Sequence, residues 1–220
     1  MPALPHPPFL CVVTDDDLSA DQTVAAVDSA CAAGPLVVQL RARKRFGAEL
    51  FDLAMRLRAT TSEHGSLLIV NDRLDVALAA RADGVHLPGK GIPSRRVREV
   101  IERRREQRGR LLVGLSIHSV DEIRANAAYV DYFQFGPVFA TPSKAAFGPP
   151  QGCAALARAV KESAAAGRAC VGVGGINATN ADSVIDAGAA GVAVIRAVMR
   201  ANDPEAAART LLAVLTRKRG

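Results

Sequence analysis

"SLLIVNDRLDVALAARADGVHL", residues 66–87, carries in one stretch the pattern that decides the fold. The run 66–72 is apolar up to its last two residues, 73–81 has the apolar spacing of a helix, and 84–87 ("GVHL") is apolar again. A strand, a short helix and a second strand thus follow one another with almost no loop. Strands that are apolar nearly throughout are those of a parallel sheet covered by helices.

The alternation continues in both directions. Strands are expected at 9–15 ("FLCVVTD"), 36–42, 66–72, 84–87, 111–117, 130–138, 169–176 and 191–195. Helices fit at roughly 20–33, 48–64, 73–81, 94–108, 119–128, 152–166, 178–187 and 203–218, as helical periodicity requires. Start signals support several of them: "NAT" before 180, "NDPE" at 202–205, and "SVDE" at 119–122 as a capping box. Eight strand–helix units close naturally into a (β/α)8 TIM barrel. A doubly wound open sheet is the competing arrangement, because periodicity does not report closure. No linker or composition break divides the chain, so residues 1–220 read as a single α/β domain.

At 49% hydrophobic residues the chain can bury a sizeable core. With no Trp, two Tyr and seven Phe it lacks the stacking platforms of a single-strand binder. The net charge of +6 is concentrated in "SRRVREVIERRREQRGR", 94–110, where arginines alternate with Glu99, Glu102 and Glu106. That pattern reads as a solvated helix face with i,i+3 and i,i+4 ion pairs, so neither nucleic acid nor membrane is expected as a partner. The four cysteines show no C-x-x-C spacing and read as reduced and structural. The N-terminus lacks the basic and apolar regions of an export signal, and no uncharged apolar stretch is long enough to span a bilayer. A cytoplasmic location is expected, and the sequence leaves a homo-oligomer open.

In a barrel of this type the reactive groups sit at the C-terminal ends of the strands. There the sequence places Gln39, Arg41, Asn71, Asp72, His86, Ser116 and His118, then Thr141, Ser143 and Lys144, then Gly174, Gly175 and Arg196. "VGVGGIN" (171–177) and "GVAVIRAVM" (191–199) end the last two strands, where glycines and a helix N-terminus commonly cradle a phosphate. In "QLRARK" (39–44), Gln39, Arg41 and Arg43 alternate, which on a strand puts three donors on one side. Asp72 closes an apolar strand; it could ligate Mg2+ through oxygen or N-cap the next helix. Thr141, Ser143 and Lys144 form a compact anion site. His86 and His118 read more readily as structural histidines than as acid–base groups.

Taken in order, "VQLRARK", "VNDRLDVALAARADGVHL", "GLSIHSVDE", "DYFQFGPVFATPSK" and "VGVGGINATNADSVIDAGAAGVAVI" resemble the thiamine phosphate synthase/TenI superfamily over about residues 9–199. The synthase branch joins hydroxymethylpyrimidine diphosphate to a thiazole phosphate, with release of pyrophosphate. The resemblance implies that Gln39, Arg41, Arg43, Asn71, Ser116 and Lys144 hold the diphosphate, with Arg41, Ser116 and Lys144 catalytic and Asp72 on Mg2+. It implies that Thr141, Ser143, Gly174, Gly175, Ile195 and Arg196 hold the thiazole phosphate.

The chain departs from that pattern in places. After D-G-V-H-L the synthases usually read G-Q-x-D, whose Asp is the second metal ligand; here Pro88, Gly89, Lys90 and Gly91 stand there. Arg43 stands for a usual Lys and Arg196 for a usual Ser. TenI-type thiazole tautomerases also lack that Asp, but they use a His where this chain has Pro137. The chain keeps more of the synthase set, so synthase activity is the first expectation. A tautomerase, or a non-catalytic ligand-binding protein of the thiamine pathway, is the alternative.

Overall fold

A computed structural model of the chain describes residues 2–104, 109–141 and 149–217. Eight strands form a closed, all-parallel barrel in sequential order. They are β1 Phe9–Val13, β2 Val37–Leu40, β3 Leu67–Asn71, β4 Gly84–Leu87, β5 Leu112–Ile117, β6 Tyr132–Phe135, β7 Ala169–Val173 and β8 Gly191–Val194. The described helices are α1 Ala20–Cys31, α2 Gly47–Glu63, α3 Leu74–Ala79, α4 Ser94–Arg103, α5 Val120–Asn126, α6 Gly152–Ala165, α7 Ala181–Asp186, α8 Arg196–Met199 and α9 Pro204–Thr216. The open sheet is excluded because β1 pairs with both β2 and β8, Phe9 lying opposite Gly191.

Two apolar clusters follow from the strand alternation. One residue of each pair faces inward: Phe9, Cys11, Val37, Ile69, Leu112, Tyr132, Val171 and Ala193 fill the barrel. Their neighbours face outward and meet the helices, as Leu10, Val38, Leu68, Phe133 and Val192 do with Leu53, Leu57, Leu156 and Leu211. Two of the three start signals act as read: Ser119 and Glu122 form a capping box, and Asp203 caps α9 with Pro204 in its first turn, whereas no side chain of "NAT" caps α7, whose N-cap is Asn180. Within α4 the arginine-rich face carries Arg95–Glu99 and Arg96–Glu99 pairs at 3.0 and 2.9 Å. The last part of the expected helix 94–108 lies outside the described residues.

Several boundaries are shorter than the apolar runs suggested. β2 ends at Leu40, not at residue 42, β6 at Phe135, not at 138, and β7 at Val173, not at 176. A run stays apolar where the chain has left the sheet but still packs under the helices, as Val138 and Ile176 do. The helix expected at 178–187 spans Ala181–Asp186, because Asn177 forms a local turn, accepting the Thr179 amide at 2.8 Å.

The N-terminal end of the barrel is closed by paired acids. Asp83 and Asp131 precede β4 and β6, and each accepts an amide of the preceding strand, Leu68 and Val113, both at 2.8 Å. Arg58 pairs with Asp83, and Arg98 and Arg110 pair with Asp131 at 2.8 and 2.7 Å. Burial pushes the Asp131 carboxyl up, but the bonds from Arg98, Val113 and Arg110 outweigh it and hold it below its ordinary value.

Candidate active site

At the opposite end, the alternation that builds the core turns polar. The last inward positions are Gln39, Asn71, His86, Ser116 and Gln134, and they bond to one another across the barrel. Gln134 Nε2 donates to Gln39 Oε1 at 2.7 Å, and Gln39 Nε2 donates to Asn71 Oδ1 at 3.0 Å. His86, fully buried, lies with Nε2 2.8 Å from Ser116 Oγ and Nδ1 3.2 Å from the Tyr132 hydroxyl. Burial, first of all, keeps the Tyr132 phenol protonated. A neutral imidazole has one donor and one acceptor nitrogen; with its proton on Nε2, Ser116 retains its own O–H for an oxygen above it. His86 is thus a support for Ser116. His118 is similarly engaged, Nδ1 donating to the Gly136 carbonyl at 2.6 Å.

The row of donors expected along β2 is corrected in its cause. Because β2 ends at Leu40, alternation places Gln39 inside but does not align Arg41 and Arg43 with it. An acidic loop after β1 gathers them instead. Thr14 Oγ1 accepts the Arg41 amide at 2.8 Å and donates to the Arg41 carbonyl at 3.0 Å. The Asp16 carboxylate takes Arg41 Nη1 and Arg43 Nε at 3.3 and 3.2 Å. Asp17 pairs with Lys44 at 2.6 Å, and Arg200 bridges Asp15 and Asp17 at 2.6 and 2.9 Å. Burial and the neighbouring Arg43 pull the Arg41 guanidinium below its ordinary value. The Arg200 bond holds the Asp15 carboxyl below its own, and the charge of Arg196 adds to this.

Asp72 follows β3 with φ 66°, a left-handed conformation that non-glycine residues adopt rarely, Asp and Asn more readily than most. It is not the N-cap of α3: that position is Arg73, and no side chain caps the helix there. Its exposed carboxylate accepts no hydrogen bond from a described residue. A Cβ on Gly91 would lie 3.2 Å from Asp72 Oδ1, so the loop after β4 approaches this carboxylate without a second one. Among the described residues no cluster of three or more metal-binding side chains exists. Mg2+, however, commonly takes one or two carboxylates and completes its shell with substrate phosphates and water, and Asp72 fits that mode.

On the far side of the mouth the backbone dominates. Gly174 and Gly175 have φ 101° and 68°. Added Cβ atoms would lie 2.7 Å from Pro137 Cα and 2.6 Å from the Ala140 carbonyl, so both conformation and space require glycine. Val138 and Phe139 donate to the Val173 and Gly174 carbonyls at 2.9 and 3.0 Å, which stitches the loop carrying Thr141 to the end of β7. Next to it β8 ends and Ile195 occupies the N-cap position of the four-residue helix α8, with Arg196 exposed in its first turn. A helix start leaves its first amides without intrahelical partners. Ser143 and Lys144 lie outside the described residues.

Gln39, Arg41, Arg43, Asn71, Asp72, Ser116, Thr141, Gly174, Gly175, Ile195 and Arg196 therefore share one end of the barrel. Sequence reading missed Asp16 and Gln134. Both left a signal: Asp16 sits in "TDDD" at a strand end, and Gln134 is polar at an inward position two residues after Tyr132.

The comparisons with known proteins point to one family. The family described as thiamine monophosphate synthase matches residues 10–198. A thiamine-phosphate synthase of Chlorobium luteolum is 40% identical over 98% of this chain and 96% of its own length. One from Methanoculleus marisnigri is 44% identical over 92% of each chain. Among solved structures, a thiamine phosphate pyrophosphorylase from Pyrococcus furiosus superposes with a TM-score of 0.83 at 31% identity, covering 96% of this chain and 97% of its own. With the barrel closed, the polar mouth assembled and the match running through nearly every strand, the chain belongs to the thiamine monophosphate synthase family.

Proposed function

We propose that the chain is a thiamine-phosphate synthase, a transferase that joins hydroxymethylpyrimidine diphosphate to thiazole phosphate and releases pyrophosphate. The observation that carries this reading is the pairing, at one barrel mouth, of a cationic side-chain half with a glycine-built backbone half. Two anionic substrates need two such places, set so that their reacting atoms meet between them.

In this reading Arg41 and Arg43 face the diphosphate, Lys144 is assigned to it by the resemblance, Ser116 donates to one of its oxygens, and Gln39 with Asn71 orients the pyrimidine. The carbon–oxygen bond to the diphosphate breaks, and pyrophosphate leaves with the electron pair. The nitrogen lone pair of the thiazole then forms the new bond to the pyrimidine methylene carbon. Cationic groups placed where negative charge accumulates lower the barrier to that departure. Asp72 would hold Mg2+, which when bound supplies further positive charge at the leaving group. The amides at Gly174–Gly175 and at the start of α8, with Thr141, Ser143 and Arg196, hold the thiazole phosphate.

Pro137 has no titratable group, so the tautomerase alternative lacks its proton carrier at that position. The described cysteines are free thiols and no described helix is long and apolar enough to cross a membrane, which suits a cytoplasmic enzyme. The test is to mix both substrates with purified protein, with and without Mg2+, and assay thiamine phosphate. Product is expected, and Lys144→Ala should lower kcat by at least ~10²-fold. Absence of product under all metal conditions would reject the reading.

A further inference from the structure

The Asp16 carboxylate is the point on which the second loop of the mouth is organised. Its Oδ1 accepts the Arg43 amide at 2.6 Å, while its Oδ2 takes Arg41 Nη1 and Arg43 Nε. The Asp16 side chain is 10% exposed but that of Arg43 is 65% exposed, so a fixed anchor holds a side chain otherwise free in solvent. The neighbouring acids serve other cations: Asp15 takes Arg200, and Asp17 takes Arg200 and Lys44. Thr14 fixes the Arg41 backbone from the same loop.

We infer that Asp16 is a positioning residue, which pre-sets the Arg41 and Arg43 guanidinium groups for the diphosphate. This rests on the reading that those arginines bind it. Loss of Asp16 has opposite effects under charge and under positioning. By charge alone, removing an anion from a cationic site strengthens the binding of another anion. By positioning, removal weakens it, because two long side chains must then be ordered when the ligand binds.

The experiment is calorimetric titration of the full chain with inorganic pyrophosphate, alongside the KM of each substrate. Asp16→Asn should weaken pyrophosphate binding by about tenfold, the scale of one lost charge-assisted bond. It should raise KM for the pyrimidine diphosphate similarly and leave that for the thiazole phosphate within about twofold, since the sites are separate. Asp16→Glu, which keeps the charge and displaces the carboxylate, should weaken binding in the same direction. Asp17→Asn removes the same charge beside other cations and should leave affinity unchanged or tighter. Unchanged or tighter binding in both Asp16 variants overturns the inference, as does an equal weakening by Asp17→Asn. Arg41→Ala separates the two levels. If it weakens pyrophosphate binding and the Asp16 variants do not, only the role of Asp16 falls; if it has no effect, the diphosphate reading falls with it.

Discussion

Asp131 and Asp72 lie at opposite ends of the same barrel and are opposites in every other respect. Asp131 is 9% exposed at the side chain and bound by two arginines and a strand amide. Asp72 is exposed, has a left-handed backbone and accepts no hydrogen bond from a described residue. An acid whose bonds are all internal contributes to stability. An acid held in an unfavourable conformation with its oxygens left open is available to a ligand. The comparison sets an end of the barrel whose acid is bonded internally against the end proposed for the chemistry.

The largest expected effect tests the first half of that contrast. Asp131→Ala removes the carboxylate shared by Arg98, Arg110 and the Val113 amide, leaves that amide without its acceptor, and should cost about 3 kcal/mol in urea unfolding. The kcat/KM of the surviving folded protein should stay within about twofold, as for a distant site. A large kinetic loss would break the separation of the two ends.

Asp72→Asn should do the reverse. Asn tolerates the left-handed backbone, so stability should change by less than about 0.5 kcal/mol. The kcat/KM should fall by at least ~10²-fold, or about 2.7 kcal/mol of transition-state stabilisation. Full activity in this variant would remove Asp72 from the site.

A smaller change is expected from restoring a second acid at the mouth. Gly91→Asp brings a carboxylate beside Asp72, although its Cβ would press on Pro88 Cγ at 2.9 Å. Two carboxylates should lower the Mg2+ concentration for half-maximal rate several-fold, while like-charge repulsion costs roughly 1 kcal/mol without metal. An unaltered Mg2+ requirement would mean that the metal is not held at Asp72.

The smallest effect is in the acid limb of stability. Asp131 has a folded-state pKa below its unfolded value, which is about 3.9. Its contribution is therefore present above that pH and is lost as pH falls through the lower folded value, where the unfolded chain has already taken up the proton. Thermal unfolding between pH 5 and pH 2 should show a shallower acid limb in Asp131→Asn than in the parent.

Strand–helix alternation, the order of the eight units and most mouth residues were legible in the chain, because side-chain parity and helical period are local properties. So was the capping box at Ser119, whose partner Glu122 lies three residues on; the box of Ser19 and Gln22 was not read. Closure was expected from the count of eight units rather than from periodicity, since it depends on Phe9 meeting Gly191, far away in sequence. The ends of β2 and β7 were not legible, because an apolar residue beyond a strand can be buried by helices as well as by the sheet. The alignment of Arg41 and Arg43 was read from alternation, yet it comes from Asp16 on another strand's loop, a long-range bond that no spacing encodes. By itself, then, the sequence determined most of the residues that reach the mouth. Tertiary structure alone decided which of them are bound to each other and which are left open to a ligand, because charge pairing is set by distances between strands that only the closed barrel establishes.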